Sequence, residues 1–242
     1  MDKKIQIVAI IGAIAFSVFV LTSPDDPIPL PEPSSNSKSD SVIILAENLD
    51  KPRGIAISDD RIFVTEKDGL IRVIQNDILL DSPLATFRSA DVFDGGLLGI
   101  TLHPEFSTNH YIYVFLTYEE DGTLWNKILK IKESENKLKN VQTIFDKIPG
   151  SSFTNGGFLK FGPDEKLYVG TGTVSDSSHL PQDLDSLSGK ILRLNDDGTI
   201  PDDNPFSNSP VYSLGHRHTQ GMTWDDDGNL YVAEFGPEKN DE

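Results

Sequence analysis

The fold is decided by three stretches of sequence: FTNGGFLKFGPDEKLYVGTGT (residues 153–173), QDLDSLSGKILRLNDDGTIPDDNPF (182–206) and YSLGHRHTQGM (212–222). Short alternating apolar runs within them, at Leu167–Val169 and Ile191–Leu194, predict strands of about five residues. Gly-Pro-Asp and Asp-Asp-Gly separate the runs and are typical of tight turns. The intervening loops are rich in Asp, Asn, Gln, His and Arg. We therefore expect a β scaffold that presents a polar, functional face.

The same pattern repeats along the chain from Ser41. An apolar strand, a turn and a second strand recur at 54–66, 99–118, 158–170 and 221–234. Repeats at this period, with no convincing amphipathic helix between them, predict an all-β propeller with roughly four blade-like units. An irregular sandwich also uses short strands, but similar repeated hairpins favour the propeller. The loops expected to line its central cavity are 91–96, 151–157, 175–186 and 215–220.

Composition restricts the function. The 242 residues include no Cys, which excludes disulfides and cysteine-ligated metals. Acidic residues number 38 against 21 basic ones, a net charge of -17. Such a chain repels phosphate backbones, so no nucleic-acid partner is expected. The acidic balance suits calcium, which takes hard oxygen ligands, although most of the carboxylates need only keep the surface soluble.

The amino terminus predicts export. In residues 1–22, Lys3 and Lys4 precede an apolar run, which indicates a signal peptide or a membrane anchor. An uncleaved anchor is favoured, and cleavage is the alternative. Residues 23–41 are rich in Pro and Ser and predict a linker. The propeller domain is expected over 42–242, in an extracytoplasmic location, either membrane-anchored or secreted.

Four motifs in the sequence are similar to those of a known protein family. They are GGLLGITLHPEF (95–106), NGGFLKFGPDEKLYVGTG (155–172), LSGKILRLNDDGTIPDDNPF (187–206) and GHRHTQGMTWDDDGNLYVAEFGP (215–237). In this order they resemble the soluble quinoprotein glucose and aldose sugar dehydrogenases, the glucose/sorbosone dehydrogenase family. The resemblance runs from about Leu49 to the last residue.

The resemblance implies both a fold and a reaction. The family is a six-bladed propeller that binds pyrroloquinoline quinone (PQQ) and calcium in its central cavity. It oxidises the anomeric carbon of a sugar by hydride transfer to the quinone, with a histidine as base. A small sugar substrate is implied, and the electron acceptor is left open. Family members continue beyond the motif at 236–242, and four units are fewer than six blades, so the resemblance also indicates an incomplete chain.

Two residues depart from the family pattern at the expected catalytic site. Thr154 occupies the position of the base histidine, two residues before Gly-Gly, and Asp94 occupies the position of a common glutamine. A threonine hydroxyl is not a general base near neutral pH, whereas an imidazole is. Thr154 and Asp94 are therefore the predicted catalytic positions, with the Asp94 carboxylate as the substitute base or a metal ligand.

The cofactor is expected to contact two segments. Asn155, Gly156 and Gly157 form the first, where the glycines allow either close approach to a flat ligand or a β-bulge. His216 and Arg217, which form a cationic cluster with His218, make up the second. Arginine suits the carboxylates of an anionic cofactor, and pairing with a surface carboxylate is the alternative.

The predicted calcium ligands are Asp183, Asp197 and Glu234, with Asp185 as a further candidate. Their carboxylates lie in loops that carry the motifs and meet only if adjacent blades present them together. Asp197 is also an ordinary turn residue when its local sequence is considered alone. Glu234 is the better candidate, because it follows an apolar strand, at a position where the formation of a turn does not explain a carboxylate.

Three functions remain open from the sequence. The leading hypothesis is an exported aldose sugar dehydrogenase that uses PQQ and calcium. The alternative is a non-catalytic propeller that binds a carbohydrate or a protein, which Thr154 and Asp94 motivate. A metal-dependent propeller lactonase fits less well, because its motifs are absent from the sequence.

Overall fold

Four antiparallel sheets follow one another along the chain in the computed structural model, which describes residues 43–174 and 179–236. The predicted anchor (1–22) and linker (23–41) lie outside the described residues. The predicted cavity loop at 175–186 is described only from His179 onward.

Each sheet is one blade, and its strands are consecutive in the sequence. Blade 1 contains β1 (Pro52–Ile57), β2 (Arg61–Glu66) and β3 (Leu70–Gln75), with the short strands β4 (Ile78–Leu79) and β5 (Ala85–Thr86) both pairing with β3. Blade 2 contains β6 (Leu97–Leu102), β7 (Tyr111–Glu120), β8 (Thr123–Ser134) and β9 (Lys137–Pro149). Blade 3 contains β10 (Gly156–Phe161), β11 (Leu167–Thr171), β12 (Lys190–Leu194) and β13 (Val211–Leu214). Blade 4 contains β14 (Thr219–Trp224) and β15 (Leu230–Glu234).

This architecture confirms the predicted all-β propeller. The apolar runs that predicted strands lie in β11 and β12, both of which are buried along their whole length. Two turns were also predicted correctly. Glu165 N–H donates to Gly162 O at 3.0 Å, and Gly198 N–H donates to Asn195 O at 2.9 Å. In the described residues, a short α-helix, α1 (Phe106–Asn109), lies between β6 and β7 of blade 2, and a 3-10 helix (Leu180–Gln182) lies between β11 and β12.

The core lies between the blades. One apolar cluster joins blades 1 and 2 and includes Phe63, Leu97 and Val114. A second joins blades 2 and 3 through Phe115 and Leu167, among others. A third, smaller cluster joins blade 3 to blade 4. Since each fully buried large apolar side chain stabilises the fold by about 1.5–3 kcal/mol, the stacking of neighbouring sheets supplies most of the stability.

The first strands of the blades lie side by side around the centre. β1 packs against β6, β6 against β10, and β10 against β14. These inner strands approach so closely that two positions require glycine. A Cβ at Gly99 would lie 2.1 Å from Gly157 O, and a Cβ at Gly54 would lie 2.9 Å from Leu98 O.

The direction of the first strand in each blade defines two ends of the propeller. The connectors 87–96, 150–155 and 215–218 lead into β6, β10 and β14, and they lie together at one end, which we call the upper rim. The hairpins within the blades at 103–110, 162–166 and 225–229 lie at the other end, which we call the lower rim. Among the described residues, no helix is both long enough and apolar enough to cross a membrane.

We predict that Gly99→Ala lowers the free energy of unfolding by about 2–3 kcal/mol, because the new methyl group meets a backbone carbonyl that cannot move aside easily. Gly221→Ala is the matched control on inner strand β14, where the nearest atom to a new Cβ lies 3.8 Å away. That control is expected to change stability by less than about 0.5 kcal/mol. Urea unfolding of both variants tests this, and equal stabilities would contradict the close approach.

Candidate active site

The inner strands of all four blades surround a cavity of about 280 Å³. Its lining residues are Pro52, Arg53, Gly54, Ile55, Asp94, Leu98, Gly99, Ile100, Gly156, Gly157, Phe158, Leu159, Thr219 and Gln220. Three predicted site residues, Asp94, Gly156 and Gly157, are therefore brought together here. A larger cavity of about 520 Å³ lies at the lower rim between blades 1 and 2, and it contains none of the predicted site residues.

The carboxylate of Asp94 connects opposite sides of this cavity. Arg53 Nη2, from β1, donates to Asp94 Oδ1 at 2.5 Å. His218 Nε2, from the connector before β14, lies 3.3 Å from Asp94 Oδ2. One carboxylate thus joins blade 1 to blade 4, and it remains partly accessible, with its side chain 20% exposed.

His218 is held as a neutral imidazole with a defined tautomer. Gly156 N–H donates to His218 Nδ1 at 3.3 Å, so the ring proton is on Nε2, which faces Asp94. Burial lowers the pKa of His218 below the ordinary value of 6.5, Arg217 and Arg53 act in the same direction, and Asp94 opposes them. The net result is a neutral imidazole near neutral pH, with Nε2 facing the Asp94 carboxylate.

Thr154 lies at the upper rim in a strained backbone conformation. Its φ of 56° is in the left-handed region, which is unfavourable for a β-branched residue but is adopted more readily by histidine and asparagine. Its hydroxyl donates to Thr173 O at 2.5 Å. The Thr154 hydroxyl is thus committed to the backbone, which is consistent with its unsuitability as a base.

Asn155 has a structural task that differs from the predicted contact with the cofactor. It is 1% exposed, and its Nδ2 donates to Asp94 O and Ser151 O, both at 2.8 Å. Its Oδ1 accepts from Ser151 N–H at 3.0 Å and from Asn126 Nδ2 at 3.1 Å. All four hydrogen-bonding capacities of the amide are used within the protein. Asn155 therefore fixes the connector that precedes Gly156.

Gly156 and Gly157 form the β-bulge that was one of the two predicted alternatives. The β10–β11 register shifts between Gly156 and Leu159, which makes this a β-bulge, and both glycines also line the cavity. Their φ values are 69° and 94°. A Cβ at Gly156 would lie 2.6 Å from Gly170 O, and one at Gly157 would lie 2.8 Å from Leu98 Cδ1. Neither position has room for a side chain.

Glu234 orders the segment that contains His216 and Arg217. Its carboxylate accepts from His216 Nδ1, and at 2.9 Å from Arg217 N–H. Burial acts to raise the pKa of Glu234, but the hydrogen bonds from His216 and Arg217 outweigh it, so the pKa lies below its ordinary value. The Arg217 guanidinium donates from Nη1 to Phe235 O at 2.8 Å and lies over the Phe235 ring.

The predicted calcium ligands do not meet. Asp197 belongs to the lower-rim turn between β12 and β13, where its Oδ1 accepts from Thr199 N–H at 3.0 Å, while Glu234 ends β15 at the upper rim. Asp183 lies in the β11–β12 loop, where its Oδ1 accepts from Asp185 N–H at 3.0 Å. In the ranges 43–174 and 179–236, no group of three or more His, Cys, Asp or Glu residues is placed to hold a metal ion.

Two residues of the site escaped the sequence reasoning. His218 was recognised only as a neighbour of Arg217, and its position in GHRHTQG was the signal that could have identified it. Arg53 lies in no motif. Its contact with Asp94 spans 41 residues along the chain and exists only because β1 packs against β6.

Comparisons with known proteins agree with the resemblance carried by the four motifs. The profile of the family described as "Glucose / Sorbosone dehydrogenase" matches residues 49–242. Quinoprotein glucose dehydrogenase B of Acinetobacter calcoaceticus is 30% identical, over 99% of this chain and 56% of that protein. Aldose sugar dehydrogenase YliI of Escherichia coli (strain K12) is 33% identical, over 84% of this chain and 58% of that protein.

Solved structures show the same similarity in three dimensions. The PQQ-bound form of aldose sugar dehydrogenase from Streptomyces coelicolor superposes with a TM-score of 0.77 at 36% identity, over 83% of this chain and 61% of that one. The apo form of the soluble aldose sugar dehydrogenase from Escherichia coli gives 0.75 at 31% identity, over 83% of this chain and 61% of that one. This chain thus spans a little more than half the length of its curated relatives.

We predict a pH dependence of stability that arises from His218. Its folded pKa is lowered, so below its ordinary pKa of 6.5 the unfolded chain binds more protons than the folded one. The contribution of neutral His218 is therefore fully present above that value and is lost as the pH falls towards the folded pKa. Urea unfolding between about pH 8 and 5 should show this decrease, and it should be shallower in His218→Gln.

The matched control is His179→Gln, because His179 is exposed. It should retain the pH dependence of the parent chain. An unchanged slope in His218→Gln would contradict the burial of a neutral imidazole at this position.

Proposed function

This chain belongs to the glucose/sorbosone dehydrogenase family, and we propose that it acts in an exported aldose sugar dehydrogenase that oxidises a sugar at its anomeric carbon. The proposed cofactor is PQQ, and the sugar is the small-molecule substrate. Export, by a membrane anchor or by secretion, is proposed from the basic and apolar start of the sequence. Membership of the family favours this function over a non-catalytic propeller.

One observation carries the proposal: the Asp94 carboxylate lies in the cavity wall, held by Arg53 and His218. A carboxylate can accept the proton of the anomeric hydroxyl, whereas the Thr154 hydroxyl cannot act as a base near neutral pH. Asp94 is therefore the proposed proton acceptor. Arg53 and His218 are positioning residues, because Arg53 donates to one carboxylate oxygen and His218 Nε2 lies 3.3 Å from the other.

The side chains around the cavity fit an anionic quinone. In a chain with a net charge of -17, two guanidiniums place positive charge at the upper rim: Arg53 lines the cavity, and Arg217 lies in the connector that leads into β14. Arginine pairs well with the carboxylates of such a cofactor. When bound, the quinone supplies the acceptor for the hydride that leaves the anomeric carbon. The glycines Gly156 and Gly157 keep this wall of the cavity free of side chains.

Calcium is part of the proposal only through the family resemblance. The three predicted carboxylates do not together form a calcium site in the described residues, because Asp183 and Glu234 lie on different elements of the upper rim and Asp197 lies at the lower rim. Glu234 instead orders His216 and Arg217. No ligand role is assigned to these carboxylates, and no step of the reaction is derived through the ion.

We predict that Asp94→Asn lowers kcat/KM for aldose oxidation by about 10²–10⁴-fold, the range expected for loss of a positioned base. Adding Thr154→His to this variant should restore part of the activity, because an imidazole is then available at the family's base position and histidine tolerates the left-handed backbone. Activity is measured as dye-coupled oxidation after reconstitution with PQQ and calcium.

Asp68→Asn is the control, because Asp68 also pairs with a cation, Lys51, and its pair lies at an exposed site. Quinone binding, followed by absorbance, separates loss of the base from loss of the cofactor. If the quinone binds and the parent chain oxidises aldoses, but Asp94→Asn leaves the rate unchanged, Asp94 is not the proton acceptor. If no aldose is oxidised although the quinone binds, the proposed dehydrogenase function fails.

A further inference from the structure

Two exposed phenylalanine rings stand on the connectors that carry Asp94 and Thr154. Phe93 immediately precedes Asp94 and is 77% exposed, and Phe153 immediately precedes Thr154 and is 54% exposed. Their ring centroids lie 5.1 Å apart with planes inclined at 42°. An aromatic pair held at the surface contributes little to the core, and a contiguous exposed apolar patch is typical of a binding surface.

The backbone beneath these rings is fixed. Asp94 N–H donates to Ser152 O at 2.9 Å, which bonds the two connectors directly to each other. Phe153 N–H donates to Ser151 Oγ at 3.2 Å, and Asn155 Nδ2 donates to Asp94 O at 2.8 Å. The ring pair is therefore largely preorganised, and a ligand that binds there loses little free energy in ordering the protein.

The surroundings of the rings indicate the chemistry of the ligand. A pyranose has apolar faces of C–H groups and a periphery of hydroxyls. Phe93 and Phe153 offer apolar faces, and the neighbouring Asp94 and Arg53 offer a carboxylate and a guanidinium to hydroxyls. A purely apolar ligand would desolvate this ion pair without offering it a hydrogen bond, which is costly.

We propose that Phe93 and Phe153 form a stacking platform for the second, non-reacting ring of a disaccharide or longer saccharide. Asp94 lines the cavity but neither phenylalanine does, so the platform lies outside the place where the reacting ring meets Asp94. The inference rests on the proposed function and refines its substrate class: reducing saccharides of two or more rings are preferred over monosaccharides.

The test compares the binding of maltose and glucose to the full chain by isothermal titration calorimetry, without quinone, so that no turnover occurs. Maltose is expected to bind about tenfold more tightly than glucose, the effect of one good aromatic contact. Phe93→Ala and Phe153→Leu should remove this preference while leaving glucose binding unchanged. Phe153→Tyr keeps the ring and should keep the preference.

Tyr231→Ala is the matched control, because Tyr231 is 57% exposed and its hydroxyl bonds to Asp225 at the lower rim. It should not change the preference for maltose. Unfolding midpoints of all the variants establish that they fold. Equal affinities for the two sugars in the parent chain, including no binding of either, overturn the platform. So does a loss of glucose binding in Phe93→Ala, which would place the reacting ring on the phenylalanines.

The steady-state assay separates this inference from the proposed function. If glucose is oxidised but the phenylalanine variants alter only the KM for the dye, the surface serves the electron acceptor and the saccharide platform is wrong. If maltose binding depends on the phenylalanines while no sugar is oxidised, the platform stands and the dehydrogenase function fails.

Discussion

The site depends on one carboxylate that is shared across the centre of the propeller. Asp94 accepts from Arg53 of blade 1 and faces Nε2 of His218, which leads into blade 4. Since the Nδ1 atom of the same imidazole accepts from Gly156 N–H, the chain of contacts also reaches blade 3. Removing one partner would leave the others partly buried without compensation, which costs more than the bond itself contributes.

Close packing of the inner strands makes this contact possible. Gly54 and Gly99 bring β1 to β6 and β6 to β10 at backbone contact distance. The upper-rim connectors therefore converge on a small cavity, and short side chains such as Asp94 can span it. The blade cores maintain this geometry through side chains that have no part in the chemistry. The same packing also explains why Arg53 and Asp94 meet although they are 41 residues apart.

Local patterns were sufficient to predict the architecture but not the site. Strands such as β11 and turns such as Asp-Asp-Gly depend on neighbouring residues, so periodicity and turn chemistry identified them. The sequence could not show whether the calcium candidates lie together, because that depends on which end of a blade each of them occupies. Asp197 lies at the lower rim, away from Glu234. The role of Asn155 was hidden because its hydrogen bonds reach strand β8 and the connector at 87–96, which are distant in the sequence. Arg53 gave no signal, since its function arises from packing between blades.

A double-mutant cycle between Asp94 and His218 tests the central contact most directly. Asp94→Asn, His218→Gln and the double variant are compared by urea unfolding near pH 7.5, where His218 is neutral. Residues in contact within one hydrogen-bonded network usually show coupling of about 0.5–3 kcal/mol, and we expect a favourable coupling of at least about 1 kcal/mol. Additive effects of the two substitutions would contradict the shared carboxylate, and with it the arrangement of the proposed site.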